Sequence, residues 1–185
     1  MHLENPLERN IFFYSDVEQE TIGELTQAII TIESHDKKLA RVSEAYGFKY
    51  EPKPIEFYIS SYGGDVYSCL GLISIMKACT TPIHTYVTGC AMSAGFVIAL
   101  NGHKRFCYGN SSYMVHQLSS VSWGKIQERV ERLDEDKRLQ KLLDKNILEH
   151  SNLTKSELKE IYKSKIDKYY SAEDAMGMGL VDIIL

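Results

Sequence analysis

The sequence predicts an α/β layered fold with parallel crossovers, and three observations carry that expectation. Short apolar runs alternate with stretches of helical periodicity through the first hundred residues. Glycine turns follow two of those runs, at "SYGGDV" and "TGCAMSAG". The longest stretch without Asp, Glu, Lys or Arg, Ala78 to His103, is a run of core rather than surface.

Taken in order, "RNIFFYSDV" is an apolar run ending in turn residues, which predicts a short strand at about 10–14. "ETIGELTQAIITIES" places Ile22, Leu25, Ile29 and Ile32 three and four apart, the spacing of an amphipathic helix. "HDKKLARVSEAYGFKYEPKP" is polar and charged, and reads as an exposed excursion, part helical, the most mobile stretch of the chain. "IEFYIS" is a buried strand, with a Gly-rich turn leading into a helix around 66–79. "TPIHTYVTG" is the next strand, and TGCAMSAGFVIAL is expected to continue as a helix. "KRFCYG" and "SSYMVHQ" predict two further short strands.

From Trp123 to Glu149 a long charged helix is expected, with Ile126, Val130, Leu133, Leu139, Leu142, Leu143 and Ile147 on its apolar side. It is longer than a small α/β core needs, so it can project and pack on another copy of the chain or lie solvated along its own domain. "SAEDAMGMGLVDIIL" opens with the capping-box pattern of Ser171 and Asp174, then a short helix and a closing strand.

The totals narrow the function. A chain of 185 residues suits one domain, taken as 1–185 with about 123–150 as an oligomerisation helix. A formal charge of −4 offers no basic footprint for nucleic acid. The span from Ala78 to His103 could cross a bilayer by length, but Pro82, three glycines and several Thr, Ser and His residues make it core, so no membrane partner is expected. "MHLENPLERN" has neither the basic start nor the apolar centre of a secretory signal. Four irregularly spaced cysteines form no disulfide framework, which suits a reducing cytoplasm. Without a CxxC or HExxH motif, no metal and no cofactor is expected.

Ser93 is the one hydroxyl between a glycine turn and an apolar run. A serine is a poor nucleophile unless a base takes its proton and donors hold the oxyanion. "AMSAG" nearly matches the G-x-S-x-G elbow, with Ala91 in place of the first glycine, but small-x-Ser-x-Gly equally describes a helix-capping serine. Of six histidines, His2, His35 and His150 sit in polar surroundings; His84 and His103 are possible bases without a telling context. His116 ends an apolar strand, where side chains project into clefts. No Asp or Glu occurs between Val66 and Gln127, which leaves the order Ser, His, acid open with the acid beyond 127. Asp167, before two aromatics and a capped helix, could be held against an imidazole. Gly63 and Gly64 form a turn that could lend a backbone N–H to an oxyanion, or be only a tight strand-to-helix turn.

These segments, in this order, resemble the proteolytic subunit of the Clp protease: "YISSYGGDV", "GCAMSAG", "KRFCYGNSSYMVHQ" and "IDKYYSAEDAMGMGLVD". The resemblance implies a crotonase/ClpP-like α/β fold of repeated ββα units with a protruding long helix. It implies a serine endopeptidase with Ser93 as nucleophile, His116 as general base and acid, and Asp167 as orienting carboxylate. The backbone N–H groups of Gly64 and Ala94 would form the oxyanion hole. It further implies two stacked heptameric rings joined through the long helix, polypeptide substrates and an AAA+ unfoldase partner. Tyr62 and Leu118 stand where the family usually has Pro, Ala94 where it has Met, and Glu56 where an aromatic often helps form the unfoldase groove. That glutamate and the short N-terminus count against an unfoldase, and the long excursion around 35–54 suggests a divergent member.

Two other classes fit parts of the pattern. A crotonase-type acyl-CoA enzyme would share the two-amide oxyanion hole but need a carboxylate near Ala91–Gly95, where the sequence has none. A catalytically silent ring subunit would need an active paralogue. Cys90 is a minor alternative nucleophile.

Overall fold

The computed structural model describes residues 8–163 and 167–185; the expectation for the N-terminal segment lies mostly outside them. In chain order the elements are β1 (Asn10–Phe13), α1 (Gln19–Ala45), β2 (Ile55–Ser61), α2 (Val66–Ala78), β3 (Ile83–Met92) and α3 (Ala94–Leu100). They continue with β4 (Lys104–Cys107), β5 (Ser112–Val115), α4 (Ile126–Glu149), α5 (Lys155–Lys163), β6 (Lys168–Tyr170), α6 (Ala172–Gly177) and β7 (Ile183–Ile184).

The expected parallel α/β architecture is present. β1, β2, β3, β4 and β7 lie side by side in that order, all parallel. Alternation along β2 sends Ile55, Phe57, Ile59 and Ser61 inward, where they are buried against the helices. Tyr58 on the opposite face stacks between Phe12 and Tyr86, and Tyr86 stacks on Phe106, at centroid spacings of 5.2, 4.9 and 4.6 Å. The inner layer, with Phe13, Leu72, Met76, Ile98 and Leu100, is fully buried.

β3 is the organising strand. Its first half, His84–Val87, pairs with β4; its second half, Cys90–Met92, pairs with β5, also parallel. The sheet therefore forks around Gly89. β5 pairs in turn with β6, antiparallel.

Two expectations need correction. Cys90–Met92 is strand, not helix: β3 runs to Met92, and helix begins only at Ala94. The excursion after residue 35 is mostly α1 itself, which continues to Ala45 because Asp36 and Ser43 are buried on its inner side. Asp36 takes both terminal nitrogens of Arg9 at 2.5 and 3.0 Å, the Tyr50 hydroxyl at 2.6 Å and the Thr81 hydroxyl at 2.7 Å. That network ties the far end of α1 to both flanks of β2. Residues 46–54 alone remain irregular.

The long helix divides in two. Leu139, Leu143 and Ile147 are buried, whereas Ile126, Val130 and Leu133 are 82%, 47% and 53% exposed. Among the described residues, the buried positions of α4 all lie in its second half. α5 and β6 were not anticipated.

Candidate active site

Strand registers bring the segments together. Met92 pairs with Met114 at the ends of β3 and β5, and the Ser93 N–H donates to the Met114 carbonyl at 3.0 Å. Ser93 and His116 thus leave adjacent strands at the same level. Val115 pairs with Lys168, so in the antiparallel pair His116 has Asp167 as its neighbour. Ser61 pairs with Ala91, which brings the turn after β2 to the same edge.

His116 Nε2 lies 2.8 Å from Ser93 Oγ. Its Nδ1 faces Asp167 Oδ1 at 3.6 Å, an ion-pair distance too long for a hydrogen bond. The carboxylate is half exposed. If Nε2 accepts from the serine, Nδ1 carries the proton, and that proton points toward Asp167.

Ser93 has φ 51° and ψ −122°, the one non-glycine residue with positive φ among those described. A residue held in that region costs about 1–3 kcal/mol and persists where the surroundings over-determine it. Here the strand ladder on one side and the helix on the other impose the turn, and the strain presents the hydroxyl at the sheet edge. Cys69 Sγ donates to the Ala94 carbonyl at 3.4 Å and helps seat the helix start. Burial pushes that thiol up to about 12, so it stays a neutral donor.

The glycine turn lies directly against this elbow. A Cβ on Gly63, at φ +103°, would come within 2.7 Å of Ser93 Cβ and 2.8 Å of the Met92 carbonyl. A Cβ on Gly64, at φ +143°, would meet the Val17 carbonyl at 2.4 Å. The turn is docked by Val17, whose N–H donates to the Gly63 carbonyl and whose carbonyl accepts from Asp65 N–H, both at 2.7 Å. This bridge leaves the Gly64 N–H outside it. Ala94 is the first residue of α3, so its N–H has no acceptor within the helix. Gly64, Ser93 and Ala94 line the same pocket.

A hollow of about 70 Å³ lies under Ser93 and His116, walled by Val66, Phe96, Val97, Leu143 and Ile147. It adjoins a cleft of about 730 Å³ between the 117–120 segment, α4 and α5. A serine hydroxyl hydrogen-bonded to an imidazole thus sits beside an apolar slot and an open groove.

The family model described as Clp protease matches residues 4–185. The chain belongs to the Clp protease family. Membership supports a serine peptidase in the general sense, and the parallel sheet with its helices is the ClpP/crotonase-like fold. Of the Clp-type residues singled out from sequence, Ser93, His116, Gly64 and Ala94 stand together and Asp167 stands close by at a longer distance. His84 and His103 lie away from this cluster: His84 packs on Phe106, and His103 Nδ1 accepts from Ile83 N–H at 3.0 Å. The polar neighbour of Cys90 Sγ is Ser60 Oγ, at 3.9 Å. Among the described residues no group of three or more His, Cys, Asp or Glu could hold a metal ion, and no helix is long and apolar enough to cross a membrane. Sequence reading missed Val17, the residue that docks the glycine turn. It also missed Gln140 and Tyr162 in the pocket wall, whose proximity depends on α4 and α5 packing together.

Proposed function

We propose that this chain is a serine endopeptidase acting on polypeptides or small peptides, with Ser93, His116 and Asp167 as its triad. The observation that carries the reading is the 2.8 Å approach of His116 Nε2 to Ser93 Oγ. As Oγ attacks the scissile carbonyl carbon, its proton passes to Nε2 and the carbonyl oxygen becomes an oxyanion held by the N–H groups of Gly64 and Ala94. The imidazolium is steadied by the Asp167 carboxylate and gives its proton to the leaving amine. Water, deprotonated by the same imidazole, releases the acyl group and restores Ser93.

The exposed first half of α4 is the surface through which copies assemble, with stacked heptameric rings enclosing the sites as the arrangement proposed. The four free thiols are compatible with a cytoplasmic setting. Glu56 accepts the Tyr58 hydroxyl at 2.8 Å on the aromatic face of the sheet, a carboxylate at the position where the resemblance leads one to expect an aromatic of the unfoldase groove. Peptide entry without an unfoldase is the mode this favours.

Labelling by a fluorophosphonate tests the reading. Modification at Ser93, with turnover of a fluorogenic peptide by wild type and none by Ser93→Ala, is expected. A purified ring that neither labels nor hydrolyses peptide would instead make the chain a silent ring subunit, the reading that the long His116–Asp167 distance favours.

A further inference from the structure

The triad accounts for Ser93, His116 and Asp167 but not for a polar cluster beside them: Gln140, Asp144 and Tyr162. The connection from β5 to α4 begins at His116 and forms no helix or strand before Ile126. No ladder holds it. Two side chains one turn apart on α4 hold it instead. Gln140 Oε1 accepts the Leu118 N–H at 2.7 Å, and Asp136 Oδ2 accepts the Ser120 hydroxyl at 2.5 Å.

The Gln140 carboxamide is itself oriented. Its Nε2 donates to Asp144 Oδ1 at 2.7 Å and reaches the Tyr162 hydroxyl at 3.2 Å, while that hydroxyl donates to the same Asp144 oxygen at 2.8 Å. A carboxylate accepts only, so the amide nitrogen must face it and the oxygen must face Leu118. Burial raises the Tyr162 phenol well above its usual value, with Asp144 adding to the effect, so the hydroxyl remains a donor. Leu118, Gln140 and Tyr162 all line the hollow under Ser93.

We propose that Gln140 is a positioning residue of the peptidase, which latches the Leu118 backbone and thereby holds His116 against Ser93. On its N-terminal side His116 is fixed by the pairing of Val115 with Lys168. On its C-terminal side the nearest backbone anchor is Leu118, two residues on, bound to Gln140. Releasing that anchor lets the imidazole drift, and a displacement of about 1 Å can cost on the order of a hundredfold in rate. This inference rests on the serine-peptidase reading and adds a residue that neither the glycine turn nor the triad pattern points to.

The test compares wild type, Gln140→Leu, Gln140→Glu, Gln140→Glu with Asp144→Asn, and Ser93→Ala. For each, the rate of fluorophosphonate labelling at Ser93, kcat and KM for a fluorogenic peptide, Tm and assembled mass are measured. Gln140→Leu should lower kcat and the labelling rate together by about tenfold or more, with the assembled mass unchanged. Gln140→Glu keeps an oxygen toward Leu118 but sets a carboxylate against Asp144, so its rates should fall too. Asp144→Asn in that background supplies an amide donor to the new carboxylate and should restore both rates to within about threefold of wild type, a rescue that general destabilisation does not produce. Folded single variants within twofold of wild type, or a double variant no better than Gln140→Glu alone, would overturn the latch. The Gln140→Glu pair decides if Gln140→Leu does not fold. Wild type that neither labels nor cleaves brings down the peptidase reading and the latch with it, whereas active wild type with indifferent Gln140 variants ends the latch alone.

Discussion

Val115 pairs with Lys168 across the β5–β6 ladder, and that pair sets His116 beside Asp167 without bringing the carboxylate closer than 3.6 Å to the ring. A half-exposed carboxylate at that distance steadies an imidazolium less than a buried one in contact does. Asp167→Asn should therefore reduce kcat by on the order of tenfold to a hundredfold, short of the roughly ten-thousandfold loss seen when a buried triad aspartate is changed. Peptide hydrolysis by the purified variant measures this. A loss at the larger value would mean that the working site is tighter than the resting one.

Gly63→Ala tests the docking of the glycine turn on the serine elbow. The added Cβ meets Ser93 Cβ at 2.7 Å and the Met92 carbonyl at 2.8 Å, both parts of a rigid turn, and the backbone sits at φ +103°. If the Gly64 amide holds the oxyanion as proposed, displacing the turn should cost on the order of a hundredfold in kcat or more. KM should change much less, because the amide binds charge that develops only in the transition state. An unchanged kcat in a folded variant would remove the turn from the chemistry.

Asp36 supplies the pH-dependent prediction. Burial pushes its carboxyl up, but hydrogen bonds from Arg9, Tyr50 and Thr81 and the Arg9 charge outweigh that and leave it below its usual value. A depressed carboxylate gives stability that is complete above the unfolded value, about 3.9, and is lost as pH falls through the lower folded value. Asp36→Asn should cost about 3 kcal/mol at neutral pH, since it leaves the guanidinium of Arg9 buried without its counter-charge. Urea unfolding at a series of pH values should show the gap between wild type and variant closing below about pH 4. A gap independent of pH would mean that the charge of Asp36 contributes nothing.

Assembly is tested on α4. Val130 and Leu133 are 47% and 53% exposed one turn apart, on a helix half that its own chain leaves uncovered. Val130→Asp with Leu133→Asp should reduce the assembled mass by size exclusion with light scattering. The monomer core should keep its far-UV circular dichroism, because the buried positions Leu139, Leu143 and Ile147 are untouched. Retention of the full mass would assign assembly to another surface.

Much of this was legible in the sequence because it is local. Apolar runs marked β1 to β5, and the S-x-x-D pattern marked α6, where Ser171 and Asp174 form the reciprocal cap. Ser93 and His116 were legible because each stands at a sharp change of character in the chain. The length of α1 was not, since Asp36 reads as a surface position until Arg9 and Thr81 arrive from distant elements. α5 carried an overlooked signal: Thr154 and Glu157 form an S/T-x-x-E cap, with Glu157 accepting the Thr154 N–H and hydroxyl at 2.7 Å. β6 had none, being three residues long and mostly exposed, defined only by its partner. The long His116–Asp167 distance depends on how that short strand lies, which no spacing reveals.

The fork at the middle of β3 has a mechanical consequence. The imidazole and the carboxylate ride on a two-stranded arm, β5 with β6, whose tie to the main sheet is three residue pairs, Cys90 with Ser112, Ala91 with Tyr113 and Met92 with Met114. The alcohol and the two amide donors stay with the body of the molecule. A small tilt of that arm would part the His116 imidazole from the Ser93 hydroxyl while β1, β2, β3, β4 and β7 kept their neighbours, so on the peptidase reading proposed above the topology offers a way to switch the site off without unfolding.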